Sequence, residues 1–193
     1  MLRRQHALAA GSVLVALTGF ACKDKVDATP RVVFESTLDP GTRSATQCGQ
    51  NGTFFSVGSF GAPGDDEQPP APVESGATAQ QGSVSLSCSV IPEGDGFQLA
   101  AFLTLTGATG GAFRVQGHFT ASGDQPNISV SLTRGGQTYT QNDCKAQYTL
   151  PNQTTAAGRS CANIVCPNAG NNSGTTEQLC EAKAQFRFEN CSQ

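Results

Sequence analysis

The chain has 193 residues and a formal net charge of −3. This length suits one folded domain preceded by a short leader. The acidic balance argues against a nucleic-acid partner and against charge-driven binding to acidic lipid surfaces, because both attract basic proteins.

The N-terminal segment predicts a secretory signal peptide over residues 1–21. Arg3 and Arg4 form a short basic stretch, and the apolar run Ala7–Phe20 follows. This run is shorter than the roughly 20 residues that a membrane-spanning helix needs. The polar segment 23–30 directly after it argues against the alternative of a buried core helix. Without the signal peptide, ten basic side chains face fifteen acidic ones, a net charge of −5.

Cys22 stands where a bacterial lipoprotein carries its lipid-modified cysteine, and residues 17–22 resemble a lipobox. Gly19 departs from that pattern, which prefers Leu at this position, and Gly19 with Ala21 also suits an ordinary signal peptidase. We expect a lipid on Cys22 to anchor the chain in the membrane. Lys23 after the cysteine then implies sorting to the outer membrane of the bacterial cell envelope. A periplasmic or secreted soluble protein is the alternative.

Residues 22–31 predict a polar tether, and residues 32–193 predict one β domain. Apolar and polar residues alternate in short segments, which recur about every 8–15 residues with turn-forming residues between them. This pattern predicts an all-β fold, an antiparallel β-sandwich of Greek-key or jelly-roll type with about eight to ten strands in two packed sheets. The expected strands are 32–38, 53–60, 83–91, 97–105, 112–120, 127–133, 137–140, 144–150, 159–166 and 179–191.

Two polar segments, 61–82 and 167–178, interrupt the alternation and predict exposed loops, the first of them mobile. The acidic residues 65–67 could offer oxygens to Ca²⁺, but a solvated loop is favoured because Ca²⁺ needs about six to eight converging oxygens. Hairpin turns are expected at 94–96, 110–111 and 135–136. Leu179–Ala184 contains helix formers, but the alternation continues through Phe186 and Phe188 and favours a strand.

The cysteine content indicates an oxidising compartment, because eight cysteines are many for a cytosolic chain of this length. The disulfide candidates are Cys48, Cys88, Cys144, Cys166, Cys180 and Cys191. Cys161 is the expected free thiol, since Cys166 follows only five residues later. Proximity along the chain favours the pairs Cys166–Cys180, Cys48–Cys88 and Cys144–Cys191. If Cys22 is not lipidated, four bridges can form instead.

The sequence contains no grouping that predicts catalysis, a metal site or a cofactor. His118 is the single histidine after the signal peptide, and the alternation around it directs its side chain to solvent. No C-x-x-C pair accompanies the cysteines, which argues against zinc. The acidic residues are scattered, so a hydrolase with two carboxylates is a third hypothesis only.

A structural or binding role toward an unknown protein or glycan ligand is therefore expected. A carbohydrate-binding or adhesion module is the alternative reading. Such modules usually hold sugars against Trp or Tyr, and this chain has no Trp and only Tyr139 and Tyr148. Most of its phenylalanines fall on strand alternations, where packing in the core is the expected role.

The arrangement of Cys22, a polar tether and a terminal Phe-x-Phe-x-x-Cys motif (Phe186, Phe188, Cys191) resembles uncharacterised bacterial cell-envelope lipoproteins. The similarity extends over about Cys48 to Cys191. A second, weaker similarity is to small surface-antigen lipoproteins that also end in a strand closing on a cysteine. The resemblance implies a location and an architecture, and it carries over no catalytic residues.

Overall fold

The computed structural model describes residues 28–62, 68–79, 82–108, 110–171 and 177–193. The predicted signal peptide 1–21, Cys22 and most of the tether 22–31 lie outside this part of the chain, as do the acidic residues 65–67. The elements within it are β1 Arg31–Asp39, α1 Ala45–Cys48, β2 Gly52–Val57, β3 Val73–Glu74, β4 Thr78–Ala79, β5 Gly82–Glu93, β6 Gly96–Leu105, β7 Gly111–Phe119, β8 Gln125–Arg134, β9 Gln137–Gln147, β10 Thr154–Ala156, β11 Arg159–Asn171 and β12 Gln178–Glu189.

The strands form one large antiparallel sheet that is nearly closed into a barrel. The strand order is β2-β1-β12-β11-β9-β8-β7-β6-β5-β4, with β3 beside β1 and β10 beside β11. From β4 to β9 each strand pairs with the next one in the chain, as short connections favour. The predicted antiparallel all-β fold with disulfides is confirmed. The sheet is continuous around its core, where two separate packed sheets were expected.

Tight turns join the strands at two of the three predicted positions. Glu93 pairs with Gly96 around a two-residue turn, and Arg134 pairs with Gln137 around residues 135–136. In the second turn, Gly135 and Gly136 have φ angles of 59° and 78°, and a type I′ hairpin turn requires positive φ at both positions. At the third position Leu105 pairs with Gly111, so no two-residue turn forms at 110–111.

The core is one apolar cluster, because each strand turns alternate side chains toward the inside of the curled sheet. Its centre is aromatic. The ring centroids of Phe34 and Phe113 are 4.5 Å apart, and those of Phe186 and Phe188 are 4.6 Å apart. All four side chains are buried. The phenylalanines that the alternation directs inward thus pack against one another.

The segment 68–79 contains strands, whereas an exposed loop was predicted over 61–82. Two short strands form there, β3 on β1 and β4 on β5. Between them the Ser75 N–H donates to the Pro30 carbonyl at 2.8 Å, and the Gly76 N–H donates to the Val84 carbonyl at 2.8 Å. Because β1 and β5 lie near opposite ends of the strand order, this segment spans the gap between them. Backbone hydrogen bonds make this connection. They do not depend on side-chain type, so the polar, proline-rich composition of the segment did not predict it.

The last strands also differ from the prediction in their length. β11 extends to Asn171, five residues beyond its expected end, and takes up the start of the predicted loop 167–178. The segment Leu179–Ala184 lies in β12 and is extended, as predicted. The short helix α1 was not predicted, and it holds Cys48 buried beside the start of β12.

Three disulfides hold the sheet, and they use the six candidate cysteines in other pairs than proximity suggested. The bridges are Cys48–Cys180, Cys88–Cys191 and Cys144–Cys166, with sequence separations of 132, 103 and 22 residues. Cys161 has a free thiol. All three expected pairings were wrong.

Strand register explains why the expected Cys166–Cys180 pair does not form. Cys180 lies opposite Ala169 on β11, and Cys166 lies opposite Ala182 on β12, so the two cysteines are out of register. On its other side β11 pairs with β9, where Val165 lies opposite Lys145. The next residues along these strands are Cys166 and Cys144. Sheet register, and not distance along the chain, therefore determines the bridge.

Disulfides in this number form and persist in oxidising compartments outside the cytoplasm. The protein therefore belongs to such an environment. In the described part of the chain, no helix is both long and apolar enough to cross a bilayer.

Candidate functional site

A groove of about 700 Å³ lies on the outer surface of the sheet, where β1, β12 and β11 are neighbours. Its floor is formed by Glu35 from β1, Gln185 and Arg187 from β12, and Cys161 from β11. Its two walls come from loop residues, which are Phe60, Gly61, Ala62, Gln68, Pro69 and Pro70 on one side and Leu150, Pro151 and Asn152 on the other.

Strand alternation places the floor residues on the outer surface. β12 buries Phe186 and Phe188 in the core and so turns Arg187 outward between them. The register then sets Cys161 directly opposite Arg187, and Glu35 directly opposite Gln185. Four side chains from three strands thereby form one polar floor.

Backbone hydrogen bonds fix the first wall. Ser59 and Ala71 pair with each other, with N···O distances of 3.2 and 2.8 Å, and the Ala62 N–H donates to the Gln68 carbonyl at 3.0 Å. Val33 faces outward between two core residues, yet it is fully buried and does not belong to the core cluster. The outer face of β1 is therefore covered beside the groove.

A buried side chain shapes the second wall. The Gln153 side-chain oxygen accepts hydrogen bonds from the Thr149 N–H at 2.6 Å and from the Leu150 N–H at 3.0 Å. Gln153 is itself almost completely buried. A loop tied in this way keeps Leu150 and Pro151 at the groove edge. Leu150 is one of the exposed large apolar side chains of the described residues.

A charged cluster borders the floor. The Glu189 carboxylate lies 2.5 Å from Nη2 of Arg31 and 2.5 Å from Nη2 of Arg187. Burial of this carboxyl group acts to raise its pKa, but the hydrogen bonds and charges of the two arginines outweigh that effect and lower the pKa below its ordinary value. Glu189 is therefore ionised at neutral pH and holds the Arg187 guanidinium in place.

The Cys161 thiol lies beside this charged cluster and is half-buried. Burial raises the pKa of the thiol, the Arg187 charge acts to lower it, and the Glu189 charge raises it. The net shift is upward, so the thiol is mainly protonated at neutral pH. A nucleophilic cysteine needs the opposite environment, with a lowered pKa or an adjacent base. Cys161 therefore lacks the lowered pKa of an activated cysteine nucleophile.

His118 lies elsewhere, on β7. Its Nε2 atom is 3.1 Å from the Glu93 carbonyl oxygen and 3.5 Å from Asp95 Oδ1 in the β5–β6 turn. Its side chain is 39% exposed, which agrees with the outward direction that the alternation indicates. Among the described residues, no cluster of three or more His, Cys, Asp or Glu side chains could hold a metal ion.

The floor residues Glu35, Gln185 and Arg187 were not predicted from the sequence as site residues. A signal was present, because Arg187 stands between two phenylalanines that the alternation places in the core. Phe102, which is 44% exposed on β6, was also not singled out, since most of the phenylalanines were expected in the core. The buried neighbours Ala101 and Leu103 show that Phe102 must point outward.

The fold and its bridges define a disulfide-bonded, all-β domain of an oxidising compartment, with an open groove on the outside of a nearly closed sheet. No protein-family model matches the chain, and no curated protein or solved structure is significantly similar to it.

Proposed function

We propose that the protein is exported to a bacterial cell envelope, is anchored in the outer membrane by a lipid on Cys22, and binds a partner protein without catalysing a reaction. The observation that carries the binding role is the groove over β1, β12 and β11, with a hydrogen-bonding floor and apolar walls. The export signal in residues 1–21 and the three disulfides support the location.

The chemistry of the groove favours a protein segment as its occupant. Phe60, Pro69, Pro70, Leu150 and Pro151 offer apolar surface along both walls. The floor adds one carboxylate, one amide and one guanidinium group, which can pair with the polar groups of an extended chain. Apolar contact combined with a few placed polar groups is the usual composition of a binding site.

Metabolic labelling with a fatty acid tests the anchor. We expect label on the wild-type chain and on Cys161→Ala, and none on Cys22→Ala. Cys161→Ala is the matched control because it removes a thiol that is unpaired in the folded domain. Label on Cys22→Ala, or no label on the wild type, would contradict the anchor.

Cross-linking from Cys161 tests the groove. A benzophenone maleimide attached to this thiol in the full chain is expected to form one defined adduct with an envelope protein on irradiation. The yield is expected to fall at least fivefold in Gln185→Lys, which places a bulky charge on the floor. The control is Cys161→Ser combined with Asp95→Cys, whose label lies on the β5–β6 turn, where the Asp95 side chain is 87% exposed and outside both proposed sites. An equal yield from both label positions would contradict a partner in the groove.

A second candidate function is that of a carbohydrate-binding or adhesion module. The observation that favours it is the exposed ring of Phe102, which lies on the outer surface of β6 beside the guanidinium group of Arg114. This site is separate from the groove, since it lies on β6 and β7 on another part of the sheet.

A further inference from the structure

A polar surface covers the outside of β5 to β9. In its middle row, Ser87 lies opposite Phe102, Phe102 opposite Arg114, Arg114 opposite Ser131, and Ser131 opposite Thr140. We name this row and the rows on either side of it the β5–β9 platform. The flanking rows are Ser85, Thr104, Ala112, Thr133 and Thr138 on one side and Ser89, Ala100, Gln116 and Ser129 on the other.

The platform has an aromatic centre and a single charge. Phe102 is exposed, and the Cζ atom of Arg114 lies 5.6 Å from the centroid of its ring. Such a cation–π contact holds the guanidinium group over one face of the ring. Every other platform position carries an uncharged residue, most of them Ser or Thr. The platform is therefore a locally positive surface on a chain whose net charge is negative.

A shallow groove of about 310 Å³ lies at this centre, lined by Ser87, Ser89, Phe102, Arg114 and Gln116 among others. Within the described part of the chain, the side chains of Ser87, Arg114 and Gln116 make no hydrogen bond to the protein. Their donors and acceptors are thus free to pair with a ligand.

We infer that the platform binds an acidic glycan, with a sugar ring on the face of Phe102 opposite Arg114 and the carboxylate of the sugar on Arg114. The inference rests on the second candidate function and names its ligand class. Sugar rings present an apolar C–H face to the negative face of an aromatic ring. A guanidinium group without a carboxylate partner pairs with a carboxylate through two parallel hydrogen bonds. The surrounding hydroxyl and amide groups match the hydroxyl groups of a sugar.

Charge distinguishes this ligand from the alternatives. A nucleic acid is a polyanion that needs several cations along its backbone, and the platform offers one. A neutral glycan would give the Arg114 guanidinium group no anionic partner. A uronic acid combines the apolar ring face and the single negative charge that the Phe102–Arg114 pair can bind together.

Calorimetric titration of the full exported chain with a uronate oligosaccharide tests the inference. The comparison ligands are the same oligosaccharide with its carboxyl groups reduced and a short poly-glutamate peptide. We expect the uronate to bind at least tenfold more tightly than either, and its affinity to fall as salt rises. The variants are Phe102→Ala and Arg114→Gln, both at exposed positions, and the matched control is Lys145→Gln, which removes an exposed positive charge outside the platform.

Affinity for the uronate is expected to fall at least tenfold in both platform variants and to stay within twofold in Lys145→Gln. Thermal unfolding midpoints close to that of the wild type will show that the variants are folded. Equal binding of the uronate and its carboxyl-reduced form, lost in Phe102→Ala, would overturn the acidic ligand but leave a neutral glycan site. No binding of any oligosaccharide would overturn the glycan-binding function as well. Poly-glutamate binding as tight as that of the uronate would assign the platform to a protein partner and overturn the inference.

Discussion

Cys88 and Cys191 form a disulfide that joins β5 to the tail after β12, with 4.9 Å between their Cα atoms. Beside the bridge, the Ser192 N–H donates to the Cys88 carbonyl at 3.0 Å, and the Val90 N–H donates to the Ser192 carbonyl at 2.9 Å. β5 and β12 lie on different sides of the strand order. The bridge and its two hydrogen bonds therefore help to close the sheet.

Removal of the Cys88–Cys191 bridge is expected to lower the stability more than removal of the Cys144–Cys166 bridge, whose cysteines are closest in the sequence. The double variant Cys88→Ala/Cys191→Ala should lower the free energy of unfolding by about 4–5 kcal/mol, because the bridge closes a long loop in the unfolded chain. The Cys144–Cys166 bridge closes a much shorter loop, so its removal in Cys144→Ala/Cys166→Ala should cost about 3 kcal/mol. Denaturant unfolding measures both. The reverse order would show that chain entropy does not dominate the contribution of these bridges.

The reactivity of Cys161 is expected to follow the charges beside it. Glu189→Gln removes a negative charge that raises the pKa of the thiol, so alkylation by iodoacetamide at pH 8 should become faster. Arg187→Gln removes a positive charge that lowers this pKa, so alkylation should become slower. The pH dependence of the alkylation rate measures the shifts, with Lys183→Gln as the control on the same strand. Identical pH profiles in all variants would contradict the placement of these charges.

Glu189 is expected to stabilise the fold in a pH-dependent way. Its pKa is lower in the folded chain than in the unfolded chain, so its contribution is present above the unfolded pKa and is lost as the pH falls through the folded pKa. Because Arg31 and Arg187 are partly exposed, the contribution at pH 7 should be about 1 kcal/mol. Glu189→Gln should show this deficit in denaturant unfolding at pH 7, and the deficit should shrink in acid below about pH 4. A deficit independent of pH would indicate lost packing and not lost charge.

Gly82 is expected to tolerate no side chain. Its φ angle is +139°, and an added Cβ atom would lie 1.3 Å from the Thr106 carbonyl oxygen. Gly82→Ala must therefore displace the backbone where β5 meets the loop after β6, and we expect a loss of at least about 2 kcal/mol. The control is Gly170→Ala on β11, where the nearest contact is a flexible Glu177 side chain at 3.4 Å. Thermal unfolding compares the two, and equal midpoints would contradict the close approach at Gly82.

Much of the strand content could be predicted from local pattern. Val84, Leu86, Cys88 and Val90 alternate with serines, and this repeat of two predicts a strand whatever the partner strands are. The same logic predicted the extended form of residues 179–184 despite their helix formers. It did not predict β3 and β4. These short strands are held by backbone hydrogen bonds, and their polar, proline-rich segment shows no apolar alternation.

The candidate site was less predictable than the fold. Glu35, Gln185, Arg187 and Cys161 come from three strands, and only the pairing register sets them side by side. The platform residues Phe102 and Arg114 share this property. Alternation alone predicts that each points outward, but it does not predict which outward residues become neighbours.

The sequence by itself determined most of the long strands, the inward-facing core residues and the set of cysteines available for bridging, since these depend on residue type and on a repeat of two. The tertiary structure alone decided the disulfide partners, the closure of the sheet and the two surface sites. The physical reason is register: the β11–β9 alignment brings Cys166 beside Cys144, the β11–β12 alignment sets Cys161 against Arg187, and both alignments result from the packing of all the strands around one core.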